Sequence, residues 1–487
     1  MGLDPLRRRL EGSHQVGVRD PRLRVVIAVS GDEGPRHGRA SLGPRLADHA
    51  RHRALGLRSI RVLPDSASAP SGAPPNLATP RYPLLDSLRG VAVLSVFGAH
   101  VVLYLIPVGY IGPLLTRLDP GIAIFLLLSA FLLYRPFVQA RYDGSPPPAV
   151  FPFAARRILR IVPVYWLALP IVALWLGEHD VFTLHGIVTY FGFAQIYDAH
   201  TIGGGIGQAW TICVEMTFYA LLPVWAWGLR RIPFRSRRGF LASELGVLAG
   251  IFLFSVVWKS LAFQTGPPRP GLGPAKVTPE LFTLPAFLDS LAFGMALAVL
   301  SVVLSARSAP SRPERLIDRV PWLAWAAAAL LWWLSGIGGG TAHAGSTAGY
   351  IAHQELNVLV AVALFLPAIF GDHRRGWLRR LLASRVLVWL ATISYGFYLW
   401  HLAVMHQLAK AGWVTDAPVA FTIASFVLSA ALGAASYYLV GRYFIALGRR
   451  LPRGRRDGGA RRSPAGELPP ARAAALPEGA AASRPRG

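Results

Sequence analysis

Cysteine, acidic side chains and charge of any kind are scarce in this chain of 487 residues. The single cysteine, Cys213, excludes an intramolecular disulfide framework and a multi-cysteine metal site, and no metal is expected. Charged residues make up 15% of the chain and hydrophobic ones 53%, where soluble globular proteins carry about 25% charge. So little charge cannot coat a soluble protein of this length, and a soluble enzyme is excluded. The first 20 residues lack the apolar core of a signal peptide, and Val25 to Ser30 is too short to supply one. Asp and Glu number 25 against 50 Lys and Arg, a formal charge of +25. Such an excess raises nucleic-acid binding as an idea. The arginines, however, sit in short clusters between apolar blocks and in the two tails, not interleaved with aromatics, so no nucleic-acid partner is expected.

Long apolar runs are what the chain has in abundance. Val91 to Gly112 contains one side chain that titrates near neutrality, His100, and Ile161 to Leu176 contains none. Such runs match the ~20 apolar residues that cross a bilayer. The fold class expected is therefore all-α, a polytopic membrane protein. Ten crossings are expected, near 85–106, 120–139, 161–176, 209–228, 240–262, 282–305, 320–336, 354–370, 386–408 and 417–447. Residues 1–80 and 448–487, rich in Arg, Pro and Gly, read as disordered tails flanking a membrane domain at 81–447.

Charge counting tests the number. Arg135 closes the second crossing, and Arg141, Arg156, Arg157 and Arg160 fill the gap before the third; Arg230 to Arg238, Arg307 to Arg319 and Arg374 to Arg385 fill the later even gaps. The odd gaps hold only Arg117, then Lys259, Arg269 and Lys276, then Lys410. Ten spans with both termini in the cytoplasm satisfy this alternation. Val181 to Tyr197 must then be re-entrant or interfacial, since a further span there would break the pattern.

Ionisable groups inside apolar spans are costly and usually functional. In the first span Arg89 and His100 stand eleven residues apart, about 20° off one helix face and ~16 Å apart in rise. Asp86 falls near the same line. Asp86 and Arg89 also fit a plain role as cap and headgroup anchor, whereas His100 lies too deep for one. The fourth span carries Glu215 as its only acid, in the run Trp210 to Tyr219. A buried Glu needs a partner or a raised pKa; an acid facing a water-filled crevice is the bland alternative. In the ninth span Ser394, Tyr398 and His401 form a polar stripe at i, i+4 and i+7, with Trp400 read as part of an interfacial aromatic belt. The topology gives His100, Glu215 and His401 similar depth in the outer half of the membrane, which suggests one internal site. Arg157 and Arg160 lie one turn apart and suit a polyphosphate, although a positive-inside anchor would look the same.

These residues fall into a known order. Leu85-Asp-Ser-Leu-Arg89-Gly90 followed by His100 resembles the opening signature of acyltransferase family 3, the integral membrane O-acyltransferases that resemble O-antigen acetylases. Gly121 to Phe131 resembles the family's second-helix segment, Arg156-Arg-Ile-Leu-Arg160-Ile-Val-Pro163-Val-Tyr165-Trp166 its entry to the third helix, and Trp210 to Tyr219 its W-S-L-x-V-E-x-x-F-Y. Leu284-Pro285 through Met295 and Ile393 through His401 complete the set. The resemblance covers about 85 to 447. Departures exist: Ala123 stands where the family often has Asp, Ala130 where it has Gly, Thr211 and Cys213 where it has Ser. Leu439-Val-Gly441-Arg-Tyr443-Phe lacks the Glu and Pro of the closing motif. The appended hydrolase-like domain of some relatives is not expected after the tenth span.

The resemblance implies a multi-pass protein of the cell (inner or plasma) membrane. It would move an acyl group, acetyl by expectation, from cytoplasmic acyl-CoA (acetyl-CoA) to a hydroxyl of a carbohydrate or other envelope acceptor. No bound cofactor is expected; the partners are the lipid bilayer, the acyl donor and the acceptor. His100 would be the general base, since an alcohol needs one and imidazole suits neutral pH. Glu215 would orient it or touch the acceptor. Arg89, Arg157 and Arg160 would hold the donor's phosphates, while Ser394, Tyr398, His401 and Trp210 would serve the oxyanion or the acceptor. Direct transfer and an acyl-enzyme on His100 both remain open. A proton-coupled secondary transporter of a lipid or sugar would also use buried His and Glu, although the internal repeats common in transporters are not found. A catalytically inert envelope scaffold is a third possibility.

Overall fold

The computed structural model describes residues 82–105, 118–265, 278–307, 309–336, 346–370 and 376–451. Expectations for the tails outside these ranges, and for Arg117, Arg269, Lys276, Arg374 and Arg375, fall on residues not described. Among the described residues every regular element is helical and no strand occurs. The principal helices are α1 (Pro83–Leu105), α2 (Pro120–Tyr142), α3 (Val150–Leu176), α4 (Trp210–Arg230), α5 (Arg237–Thr265), α6 (Leu288–Ser305), α7 (Pro321–Ser335), α8 (Thr347–Ile369), α9 (Arg385–Lys410), α10 (Pro418–Ser436) and α11 (Arg442–Arg450). A polytopic all-α membrane protein is what these make.

Local chemistry starts several of them. Pro120, Pro321 and Pro418 stand in the first turn, where a missing N–H costs nothing. Ser346 and Ser384 cap α8 and α9 by accepting the backbone N–H of Gly349 and Leu387. Prolines also lie inside α2, α3, α4 and α8, as membrane helices tolerate more often than soluble ones.

Nine helical segments among the described residues are long and apolar enough to cross a bilayer. The seventh expected crossing, α7, has 15 residues and rises only ~22 Å, less than the ~30 Å hydrocarbon core. Val181 to Tyr197 forms no span: it breaks into single turns at His179–Phe182, Leu184–Gly186, Ile187–Phe191 and Gln195–Tyr197.

Three expectations are corrected. First, α2 and α3 are longer than the apolar runs that signalled them. Arg141 therefore lies within α2 beside the expected Arg135, and Arg156, Arg157 and Arg160 lie within α3, not in a loop. Arg135 and Arg141 are buried: Arg135 donates to Ser301 Oγ at 3.1 Å, and Arg141 pairs with Glu244 at 2.5 Å and donates to Ile232 O at 2.9 Å. Helical hydrogen bonding does not stop where hydropathy does, and Pro136 and Pro163 lie inside these helices without ending them. Second, Trp400 is no belt residue. It is buried, and its indole N–H donates to Ser436 Oγ at 2.8 Å on α10. Third, α11 runs through Arg450, so helix persists past 448, where the tail was expected to begin.

Close helix approach depends on missing side chains. A Cβ on Gly396 would meet Gly433 O at 2.7 Å, and one on Gly433 would meet Phe397 N at 2.5 Å. Backbones of α9 and α10 thus touch, as small residues allow between membrane helices. Gly294 of α6 sits likewise against Leu127 O of α2, 2.6 Å from an added Cβ. The buried apolar residues form two main clusters. One joins the first turns of α1 with α2, α4, α5, α6 and α8; the other joins the rest of α1 with α3, α9 and α10.

Candidate active site

A cavity of about 100 Å³ opens where the two clusters meet. That is room for several waters, at the ~10–15 Å³ each needs. Its polar lining is Arg89 of α1, Ser129 of α2, Arg157 and Arg160 of α3, Thr211, Glu215 and Tyr219 of α4, and Ser394, Tyr395 and Tyr398 of α9. Five helices therefore converge on it. Three guanidinium groups and one carboxylate give a formal +2, so the cavity favours an anion. Arg89 holds Asp86 at 3.3 Å, while Arg157 Nε is buried without a hydrogen-bond partner among the described residues.

Ser129 Oγ donates to Glu215 Oε1 at 2.5 Å, and Tyr219 OH reaches Ser129 Oγ at 3.4 Å. Tyr398 is fastened to the start of α4. Its hydroxyl donates to Gln208 O at 2.5 Å and lies 2.6 Å from Thr211 Oγ1, while Gln208 Nε2 donates to the carbonyls of Tyr398 at 2.7 Å and Leu399 at 3.0 Å. The phenolic proton is thus engaged by a carbonyl. Ser394 Oγ donates to Ala391 O at 3.0 Å, leaving lone pairs toward the cavity it lines.

The two histidines stand apart from this lining. His401 Nε2 lies 3.1 Å from His100 Nδ1, with ring centroids 4.9 Å apart. His401 is fully buried and His100 partly exposed. Tyr398 links the two places: it lines the cavity, and its ring centroid is 5.6 Å from that of His401.

Of the residues singled out in sequence, Arg89, Arg157, Arg160, Glu215, Ser394 and Tyr398 come together. The expected grouping of Glu215 with His100 and His401 is corrected, since among the described residues no hydrogen bond or ion pair joins Glu215 to either histidine. Counting residues assumed that α4 starts at the membrane surface. Gln208 instead bonds carbonyls halfway along α9, so α4 begins inside the protein and Glu215 lies a turn and a half farther in, beside the arginines. Trp210 does not line the cavity; it packs on Phe282 and Phe287, with centroids 5.1 and 5.3 Å away. Tyr219, Thr211, Tyr395 and the bond from Ser129 escaped the residue reading. Glu215 and Tyr219 at i and i+4 share a helix face, and Ser129 is the lone serine on α2; those were the available signals.

A family model described as an acyltransferase domain matches residues 82–438, which takes in the whole cavity. The chain belongs to acyltransferase family 3. It is an acyl-transferring enzyme of the membrane, and this decides against the transporter reading. Within the family it is similar to nodulation protein 10 of Rhizobium leguminosarum bv. viciae, 26% identical over 61% of this chain and 74% of that protein. It is 26% identical to the putative peptidoglycan O-acetyltransferase YrhL of Bacillus subtilis, over 67% of this chain and 49% of the relative, so it spans about half of YrhL's length. To the exopolysaccharide production protein ExoZ of Rhizobium meliloti it is 28% identical, over 68% and 90%. No solved structure matches.

Proposed function

We propose that the chain transfers an acyl group, acetyl in the first instance, from a cytoplasmic acyl-CoA to a hydroxyl of a cell-envelope or exported carbohydrate, in the inner or plasma membrane. The observation that carries the donor half is the convergence of Arg89, Arg157 and Arg160 on one partly open cavity. Three guanidinium groups in an apolar interior repel each other and need anionic company, and planar forks match phosphate oxygens. Arg157 Nε, buried and unpartnered, is a donor awaiting such a group. The acceptor half is supported by the relatives named for peptidoglycan O-acetylation and exopolysaccharide production.

In this reading His100 takes the proton of the acceptor hydroxyl as its oxygen bonds to the thioester carbonyl carbon. The carbon–sulfur bond breaks, and the proton passes on to the departing thiolate. Glu215, held by Ser129, belongs with the arginines: it sets the charge of the donor cavity and does not act on the imidazole.

The test is purified, reconstituted protein with acetyl-labelled acetyl-CoA and a panel of glycans. Wild type is expected to acylate a carbohydrate hydroxyl, and His100→Ala to be folded and inactive. Arg157→Ala with Arg160→Ala is expected to raise KM for the donor at least tenfold while sparing KM for the acceptor. Normal turnover by His100→Ala, or a donor KM untouched by the double substitution, overturns the assignment.

A further inference from the structure

The hydrogen bonds around the two histidines fix which nitrogen carries which proton. His401 Nδ1 lies 2.8 Å from Tyr398 O, a carbonyl that can only accept, so Nδ1 carries the hydrogen. In a neutral ring Nε2 is then a bare lone pair, and it points at His100 Nδ1 at 3.1 Å. His100 Nδ1 also lies 2.9 Å from Val96 O. Two acceptors face this one nitrogen, so it must be the donor. Were the hydrogen on Nε2 of His100 instead, three lone pairs would crowd together beside a ring that is wholly buried, with no proton among them. Among the described residues nothing hydrogen-bonds His100 Nε2, and the His100 ring is partly exposed.

We infer that His401 is a positioning residue that acts through His100: it holds the His100 imidazole in the Nδ1–H tautomer, so that Nε2 is the nitrogen that takes the acceptor's proton. When Nε2 accepts that proton the ring becomes an imidazolium. Its Nδ1–H then donates to both Val96 O and the His401 lone pair, and the new positive charge is shared across two strong acceptors. A neutral imidazole thus does for His100 what a carboxylate does for the histidine of a serine hydrolase, and adds no charge to an apolar interior, where a lone carboxylate is costly. The carbonyls that hold both rings come from their own helices, one turn back. Only the contact between the rings needs α1 and α9 to be packed together.

The inference rests on His100 being the base, and its test separates the two. Full-length protein labelled with 15N-histidine, reconstituted in lipid, reports tautomers directly. Resonances are assigned by difference against His100→Asn and His401→Gln. The expected wild-type spectrum gives His100 a protonated Nδ1 and a bare Nε2, and His401 likewise. A protonated Nε2 on His100 overturns the inference whatever the activity. In turnover, His401→Phe keeps the ring packing and removes the acceptor, and is expected to lose at least about 100-fold, in the range seen when an orienting partner is removed. His401→Gln restores an acceptor oxygen and is expected to recover at least tenfold of that. Equal activity of the Phe and Gln variants sinks the positioning role. An active His100→Ala sinks the base assignment instead, and leaves the tautomer result standing.

Discussion

A carboxylate enclosed by helices stays in place only while donors face it, and Glu215 receives a 2.5 Å bond from Ser129. Removing that hydroxyl in Ser129→Ala leaves a half-buried acid short of a partner, a loss of about 1 kcal/mol. The expected outcome is a lower unfolding temperature in detergent and about tenfold slower transfer, with Ser129→Thr close to wild type. Wild-type turnover by Ser129→Ala argues against a role for Glu215 at the cavity. A second charged cluster behaves differently. Lys259 pairs with Asp289 and, at 2.8 Å, with Glu355, and none of the three lines the cavity. Lys259→Met strands two acids in an apolar interior, which costs about 3–5 kcal/mol. The drop in thermal stability is expected to exceed that of Ser129→Ala, and donor KM in the surviving folded fraction is expected to be unchanged.

At the scale of the element, α9 is the piece whose position matters most. It brings Ser394 and Tyr398 to the cavity and His401 to His100, and its distance from α10 is set by Gly396 against Gly433. Gly433→Leu must force the two backbones apart, because the atoms in the way are the main chain of Phe397. Overpacking of this kind costs about 1–3 kcal/mol. Lost transfer activity is expected beyond the loss of stability, since α9 would carry its three polar side chains with it; spectra of 15N-histidine would record the His100–His401 contact breaking. α4 is tied to α9 in the same way through Gln208. Gln208→Leu removes both bonds to the α9 carbonyls and is expected to weaken transfer while leaving helix content by circular dichroism intact.

For the whole molecule the expectation to check is orientation. The alternation of arginine clusters puts Ser145 and Arg235 on the cytoplasmic side and Asp198 on the other. The only native cysteine, Cys213, is buried, so the wild-type chain is expected to resist thiol reagents. Single cysteines at 145, 198 and 235 are expected to react with a membrane-impermeant maleimide in intact cells only at 198. Labelling at 145 or 235 inverts the topology, and overturns the proposed entry of the donor from the cytoplasm.

Much of this was legible in one dimension because the bilayer is a harsh solvent. It demands helices about twenty residues long, penalises every buried charge, and so makes Arg89, His100, Glu215 and His401 conspicuous against their apolar neighbours. Class of fold and nine of the ten expected spans follow from that contrast, whereas the family was legible only through motifs standing in a known order. What sequence could not decide was depth and company. Glu215 joined the arginines because α4 starts halfway along α9. Trp210 fell among phenylalanines, and Arg141 was buried by a helix that outlasts its hydropathy. Spacing along one helix tells which face a residue takes. Only packing between helices, fixed by glycine contacts and by hydrogen bonds such as those of Gln208, tells what that face meets.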